Sequence, residues 1–493
     1  MLTKLIKQNQ LIFYLFLSII FALTVQQFPF YKGNSLHLIH AIKNMDFNKL
    51  QFDWIANQTN HLPLFTYFNL ILIKYFSVKI LYLVHFILLV SSPLFLFLIC
   101  KNIFKDLENP YLSILWFAFF TIIFHEHSFF GGLAGQDVIN EGYQPASYGV
   151  LFFVAIYLFL KKNYFYAVVF ISIAASFHPT YVLHSGFLMV GILIYFLSKK
   201  EFIIFIKFNI FYFILISPIT IYIIYNFLLI DKNLIIEGSK ILYERTIHHA
   251  SIEHWFSFKD TLSLLVYFVA LAIIIKAKDL FLPLFFFGFV SIILSLFQFH
   301  TENYSLGLSF PWRSSVFLIP ISTMIIFSFL LIKIFNKKIT LKFYSIVLFS
   351  FSISFFFIKN HFIKNSNQFF FNELELSNKI KSNYSEIDRL LIPVNLENIR
   401  MNTGLPIFVD WKHPPFKYDE VIIWKKRINL ASTFFDEKNF YQRKLIFDEI
   451  NQMQKISHIL IKKTDLINGC KNLLNDDEYA LIIAKECFGL ISS

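Results

Sequence analysis

The sequence predicts a polytopic α-helical membrane protein of about eleven transmembrane helices, ending in a small C-terminal α/β soluble domain. Composition is the first reason: 56% of the residues are hydrophobic, 66 are Phe and only 15% are charged, with a mean hydropathy of +0.59. A soluble fold could not hide that much apolar surface. The second reason is repetition, since apolar runs able to cross about 30 Å of hydrocarbon recur along the chain until roughly residue 358. The third is the change after that point, where short alternating patterns replace the long runs. The expected division is 1–358 for the membrane part, including an amphipathic first outer loop at 30–78, and 359–493 for an extracytoplasmic α/β domain.

The basic stretch MLTKLIKQNQ leads into LIFYLFLSIIFALTV with no small-residue cleavage site after it, the pattern of an uncleaved first span with a cytoplasmic N-terminal side. Further spans are expected at 79–100, 111–126, 146–160, 164–178, 183–198, 202–229, 261–276, 279–298, 313–335 and 342–358. The Lys clusters 101/105, 161/162, 199/200, 276/278 and 333/337/338 can all be cytoplasmic together on one condition. The apolar segment 62–76, LPLFTYFNLILIKYF, must lie in or dip into the interface instead of spanning. The C-terminal domain is then outside, and the setting expected from the Phe, Ile, Lys and Asn bias is the bacterial inner (cytoplasmic) membrane.

The net charge of +12 sits in short Lys clusters between apolar runs, which is where orientation signals belong and not the footprint of a nucleic-acid binder. The three cysteines, Cys100, Cys470 and Cys487, support neither a disulfide framework nor a thiolate metal site. A Cys470–Cys487 bridge is open to a tail in an oxidising compartment; otherwise the two serve as small hydrophobes.

In the tail, strands are expected at LLIPV (390–394), PIFVDW (406–411), ILIKK (459–463) and ALIIA (480–484), with helices near 416–428 and 439–455. The outer loops 30–78, 126–145, 230–260 and 299–312 carry most of the acids, His, Trp and Gly, so the working face is expected outside.

Each loop offers chemistry with a plainer structural alternative beside it. In the first, Leu36, Ile39 and Ile42 share one side of an expected surface helix, and Asp46, Asp53, Trp54 and His61 follow. Asp46 and Asp53 suit a general base toward an acceptor hydroxyl, or a divalent cation, or simply helix caps. In the second, His125, Glu126 and His127 stand near Asp137 and Glu141 without a Lys or Arg between them. They could hold a divalent metal or form a polar, hydrogen-bonded mouth. Glu141, with Tyr143 and Gln144, precedes the next span, and His178 in FHPTY, followed by His184, closes the one after it. Convergence on one pocket and a capped, Pro-broken helix end both fit His178. Arg245 and Arg313 offer donor forks suited to phosphate oxygens, although Arg313 could equally snorkel to the interface. In the tail, Arg400, Asp410, Trp411, Lys412 and His413 lie near a strand end, where packing is the favoured role and acceptor contact the second.

This layout resembles the GT-C class of membrane glycosyltransferases, with one span, a long outer loop, an apolar stretch after His61-Leu62-Pro63, many further spans and an outer domain. The resemblance implies transfer of a sugar from a polyprenyl-phosphate carrier to an envelope acceptor, using an acid of the first outer loop. Members commonly place that acid soon after the first span, where this sequence has Lys32, Gly33, Asn34 and Ser35. The role then falls to Asp46 or Asp53, or to Asp137 of the second loop, or the fold serves another purpose. More closely, GNSLHLIHA, DWIANQTNHLPLF, GYQPASYGVLF, ASFHPTYVL and RMNTGLPIFVDWKHPPF resemble a family of uncharacterised bacterial multi-pass proteins. The expected partners are the lipid bilayer and a polyprenyl-phosphate-linked sugar. A flippase for a lipid-linked saccharide and a non-catalytic membrane scaffold are the alternatives.

Overall fold

The computed structural model describes residues 9–26, 37–45, 48–126, 131–139, 142–335, 368–382, 385–467, 469–474 and 476–489. The expected span at 342–358, and Leu36, Asp46, His127 and Glu141, lie outside the described residues. The helices longer than ten residues are α1 (Gln10–Val25), α2 (Pro63–Phe76), α3 (Ile80–Ile103), α4 (Pro110–Glu126), α5 (Val150–Leu160), α6 (Tyr164–Phe177), α7 (Thr180–Ser198) and α8 (Phe202–Ile223). They continue with α9 (Lys232–Arg245), α10 (Phe258–Ile274), α11 (Lys278–Thr301), α12 (Ser315–Phe335), α13 (Gln368–Lys381), α14 (Tyr418–Asp436) and α15 (Phe440–Met453).

Five stretches, Ile80–Ile103, Thr180–Ser198, Phe202–Leu228, Lys278–Thr301 and Tyr304–Phe335, are long and apolar enough to cross a membrane. Four shorter apolar helices accompany them, at Gln10–Val25, Pro110–Phe124, Pro145–Leu160 and Tyr164–Phe177. The expected span at 261–276 falls on α10, which is amphipathic at its start through Lys259 and Asp260.

The chain separates into two compact units, the first made of 1–29, 78–225 and 243–362, the second of 30–77, 226–242 and 363–493. In the first unit α7 packs along α11, α5 along α6, α10 along α12 and α1 along α3. The close approach of α7 and α11 needs a glycine, because a Cβ at Gly191 would stand 2.5 Å from the Pro283 carbonyl oxygen. Between α4 and α12 the Trp116 indole donates to the Ser328 hydroxyl at 3.0 Å, so this buried polar pair is satisfied without water. On α8, by contrast, Ile203, Ile206, Ile210, Phe213 and Ile214 are all more than half exposed. Only 22% of the apolar window containing them is buried, a surface that water would penalise and hydrocarbon would not.

The second unit has a three-stranded sheet of order β1-β2-β3, from Leu390–Leu391, His458–Lys462 and Tyr479–Ile483. β1 pairs with β2 in parallel and β2 with β3 antiparallel, with Leu460 opposite Leu481. The expected strand at 406–411 does not join the sheet as a full strand and meets it by a single bridge, Ile407 to Leu390. Two features divert it: Pro406 has no N–H to give, and the Ile407 N–H donates at 2.9 Å to the carboxylate of Asp53. Near the C-terminal strand Cys470 and Cys487 are joined by a disulfide, their Cα atoms 5.4 Å apart.

The described residues of 30–77 are woven into this unit. In place of longer surface helices they form the short turns Ile39–Ile42, Leu50–Phe52 and Ile55–Asn57, with Ile39 and Ile42 buried. Lys49 donates through its backbone N–H to the Gly404 carbonyl at 2.8 Å and through Nζ to the Ile387 carbonyl at 2.9 Å. The Thr59 hydroxyl donates to Glu420 at 2.6 Å. At the centre, Arg400 Nε donates to Asp53 Oδ2 at 3.0 Å and its Nη1 to Asp410, all three side chains being fully buried. Asp53 Oδ1 also accepts the Ala56 N–H at 3.1 Å, and Asp410 Oδ1 accepts the His413 backbone N–H at 2.9 Å. Burial alone would raise the Asp410 carboxyl, but Arg400 and His413 outweigh it and hold the group below its ordinary value.

Removing one partner of such a cluster leaves an uncompensated buried charge, a loss of about 3–5 kcal/mol. Arg400→Ala should therefore shift the urea midpoint of the second unit sharply and open 363–493 to protease. Asp53→Asn, which keeps shape and one acceptor, should cost less, about 1–3 kcal/mol. An unchanged midpoint for Arg400→Ala would show that the cluster does not hold the unit together.

Candidate functional site

The polar side chains of the first unit gather around the loop 131–139, and its backbone explains why. The Gly132 N–H donates to the Gln136 carbonyl at 2.8 Å, closing a turn in which Ala134 (φ 59°) and Gly135 (φ 62°) are both left-handed. Gly132 itself must lack a side chain, because a Cβ there would lie 2.7 Å from the Val316 backbone nitrogen. The loop is tied at two further points. The Leu133 N–H donates to Ser315 Oγ at 2.8 Å, at the start of α12, and the Ala134 N–H to Asp260 Oδ1 at 3.4 Å. Asp260 is held in turn by a capping box with Ser257 at the start of α10. This anchoring fixes the direction of Gln136 and Asp137.

Arg313 enters from the turn Pro311–Ser314 that leads into α12. Its Nε donates to Gln136 Oε1 and its Nη1 to Thr180 Oγ1, both at 2.9 Å. The Thr180 hydroxyl is also 2.8 Å from His178 Nδ1, so the junction between α6 and α7 is joined to the loop through the guanidinium. The ring of Phe310 lies 5.2 Å below the Arg313 guanidinium. No ion pair among the described residues includes Arg313. Among the described residues its hydrogen-bond partners are neutral oxygens, an arrangement that leaves a guanidinium's charge for an anion.

The same loop meets a further imidazole and carries one acid. His249 Nδ1 is 2.8 Å from the Ala134 carbonyl. Burial, then the neighbouring His248, and further Arg313 and Arg245, push its pKa down to about 4, so this imidazole is neutral at pH 7. That both arginines act on His249 places Arg245 within electrostatic range of the same loop. Asp137 is half-buried, and desolvation raises its pKa to about 6 against the opposing pull of Lys259. Tyr181 lies within the field of both Asp137 and Arg313.

Of the sequence candidates, the structure thus gathers Arg313, His178, Asp137 and, at longer range, Arg245. Asp53 and Trp54 belong to the second unit and are committed there. Asp53 has its oxygens taken by Arg400, Ile407 and Ala56, and Trp54 is covered by the Arg427 guanidinium at 4.2 Å. The proposed metal group cannot be placed, since His127 and the side chains of His125 and Glu126 are outside the described residues. Among the described residues no three His, Cys, Asp or Glu are arranged to hold a metal ion. Gln136, Thr180 and Lys259 were not anticipated. Thr180 stands in the FHPTY motif two residues from His178, and Gln136 beside Asp137, so proximity in sequence was the available signal.

Residues 372–431 match DUF6798, a domain family of unknown function. The matched stretch contains Arg400, Asp410, His413 and Arg427, the buried polar centre of the second unit, and none of the groups around Arg313. No curated protein matches the chain.

The raised Asp137 pKa has a definite sign. Its protonated form favours the fold below the unfolded-chain value of 3.8, and that contribution is lost as pH rises through about 6. Asp137→Asn removes the loss, so the melting temperature of the variant minus that of wild type should grow between acid and neutral pH. A difference flat with pH would show that Asp137 titrates normally.

Proposed function

We propose that this chain is a GT-C-type membrane glycosyltransferase, moving a sugar from a polyprenyl-phosphate carrier to a cell-envelope acceptor at the outer face of the bacterial cytoplasmic membrane. The observation that carries this reading is Arg313, a half-buried guanidinium bonded to Gln136 and Thr180 and to no carboxylate among the described residues. An acid with a pKa of about 6 sits in the same loop as Gln136. The pair has the two charges that an inverting transfer needs. Asp137 takes the proton of the acceptor hydroxyl as its oxygen attacks the anomeric carbon. The bond from that carbon to the phosphate oxygen breaks, and the departing lipid phosphate is stabilised by Arg313, with Arg245 at longer range. At pH 7 an acid of this pKa is mostly ionised yet close enough to neutrality to pass the proton on. In this reading Asp137 takes the role first sought in Asp46 or Asp53.

The outward placement draws support from two sides. The Lys clusters favour a cytoplasmic N-terminus and an odd number of crossings, about eleven. The Cys470–Cys487 disulfide belongs in an oxidising compartment. On intact spheroplasts both cysteines should therefore resist a membrane-impermeant maleimide until an impermeant reductant is added. Labelling without reductant, or none after it, would argue against an outer C-terminal domain.

The reaction is tested by profiling lipid-linked sugars and surface polysaccharide in a deletion strain. An accumulated polyprenyl-phosphate sugar names the donor. Asp137→Asn and Arg313→Gln should each fail to restore the missing glycan, with transfer in membranes reduced about 10²-fold or more. Arg313→Lys, which keeps charge without the fork, should fall between. Full complementation by both variants would overturn the proposal, and translocation of unaltered lipid-linked sugar by purified protein would favour a flippase.

A further inference from the structure

The lysine pattern alone puts 62–76 in the interface, and the structure adds which unit that segment belongs to and which face it turns outward. α2 is part of the second unit, where it packs against the turn Ile39–Ile42. Pro63 stands at its first position, where a missing N–H costs nothing. The buried residues of the helix are Phe65, Thr66, Asn69 and Ile73. The polar two are served close by: the Thr66 hydroxyl donates to Asn60 Oδ1 at 3.2 Å, and the Asn69 amide to the Phe65 carbonyl at 2.7 Å. The outer face is the apolar one. Leu64, Tyr67, Ile71 and Tyr75, spaced as one side of a helix, are 39%, 62%, 55% and 70% exposed. A helix facing water has the opposite arrangement, with its polar residues outward. Single exposed apolar side chains need no explanation, whereas a stripe of about three turns backed by a buried hydroxyl and amide does.

Chain continuity, charge and residue type say what covers the stripe. Only Ser77, Val78 and Lys79 separate Phe76 from Ile80, where the stretch Ile80–Ile103, long and apolar enough to cross a membrane, begins. Fully extended, that link reaches about 14 Å, so the end of α2 cannot leave the vicinity of a bilayer that α3 enters. The first turns of α3 continue the apolar exposure through Leu83 and Ile87. No Asp or Glu occurs between Asp53 and Asp106, while Lys74 and Lys79 are both exposed. A cationic stretch without acids suits phosphate headgroups. Pairing of this face with itself in a second copy would set like charges against each other. Tyr67 and Tyr75 are rings with a polar tip, the side chains that settle at headgroup level.

We propose that α2 is a membrane-docking helix that holds the second unit on the phospholipid surface. It lies along the interface with Leu64, Tyr67, Ile71 and Tyr75 turned into the headgroup and upper acyl region, and with Lys74 and Lys79 toward the phosphates. The docking is independent of any sugar transfer.

The test uses the full chain in nanodiscs of phosphatidylglycerol and phosphatidylethanolamine. Cys100 is buried and Cys470 is paired with Cys487, so a nitroxide can be directed to one introduced thiol in Tyr67→Cys, Ile71→Cys or Tyr75→Cys. All three positions are exposed, so the fold tolerates the label. Collisions with molecular oxygen, which concentrates in lipid, should outweigh those with a water-soluble nickel chelate at 67, 71 and 75. The order should reverse at Gln442→Cys, an exposed polar position on α15. Preference for nickel at 67, 71 and 75 would overturn the proposal by showing that the face meets water. Protection from both reagents, or spin–spin broadening between labelled copies, would overturn it by showing that protein covers the face.

Discussion

The pairing of Arg400 with Asp53 and Asp410 is the interaction on which the second unit depends. Two carboxylates and one guanidinium, all excluded from water, are tolerable only when every oxygen is matched. They are matched by backbone: Ala56 and Ile407 on Asp53, and His413 on Asp410. The arrangement has a topological consequence. Residues 347 positions apart in sequence must meet before either charge can be buried, so the segment around Asp53 and the C-terminal segment belong to one body. The same need explains why 406–411 is not a full strand, since its N–H at Ile407 serves Asp53 and not a neighbouring strand. Arg427 extends the centre with a different solution. Burial lowers its pKa to about 10, which leaves it charged, and it spreads that charge over Trp54 and Phe408 while donating to the Phe408 carbonyl.

In the first unit the ordering device is steric. Small residues at Gly132, Gly149 and Gly191 let backbone or side chains of neighbouring segments approach where a Cβ would collide. Gly132 presses the loop 131–139 onto the start of α12, and Asp260 ties it to α10. A loop held at both of these helix ends has little freedom, so Gln136 can hold Arg313 from one side while Thr180 holds it from the other. Rigid support of this kind is what a residue needs to meet a charged ligand without losing entropy at that moment.

Much of the helical body was legible in the sequence, because burial in hydrocarbon demands long apolar runs and those are visible without partners. Ten of the eleven expected spans fall on described helices, while 342–358 lies outside the described residues. Strands β2 and β3 were also recoverable, as short Ile-rich apolar runs, whereas only Leu390–Leu391 of the expected 390–394 pairs as β1. The ion network was not. Its members were each noticed, Asp53 as an acid and Arg400, Asp410 and His413 as a tail cluster, yet nothing local says that a carboxylate will meet a guanidinium 347 residues away. Around Arg313 the outcome was mixed. His178, Asp137 and Arg313 were identifiable as polar groups at costly depths, whereas Gln136 and Thr180 are ordinary loop and helix-start residues whose role is fixed only by the turn at Ala134 and Gly135.

The two arginine centres leave their neighbouring acids in different states. Asp53 has no oxygen left for a substrate: one is shared by Arg400 and Ile407, the other held by Ala56, and the side chain is fully buried. Reaching it would mean breaking the cluster that keeps the unit folded. Asp137 is in the opposite state, partly exposed, opposed by Lys259 at range, and raised in pKa because desolvation outweighs that cation. Arg400 is neutralised by two carboxylates, whereas Arg313 is held by two neutral oxygens. A guanidinium neutralised by its own chain stabilises a fold, and one without an acidic partner, as Arg313 is among the described residues, is suited to attract an anion. By that physical criterion Asp137 of the second loop is freer to meet a ligand than Asp53 of the first, although the first loop is where sequence resemblance directs attention.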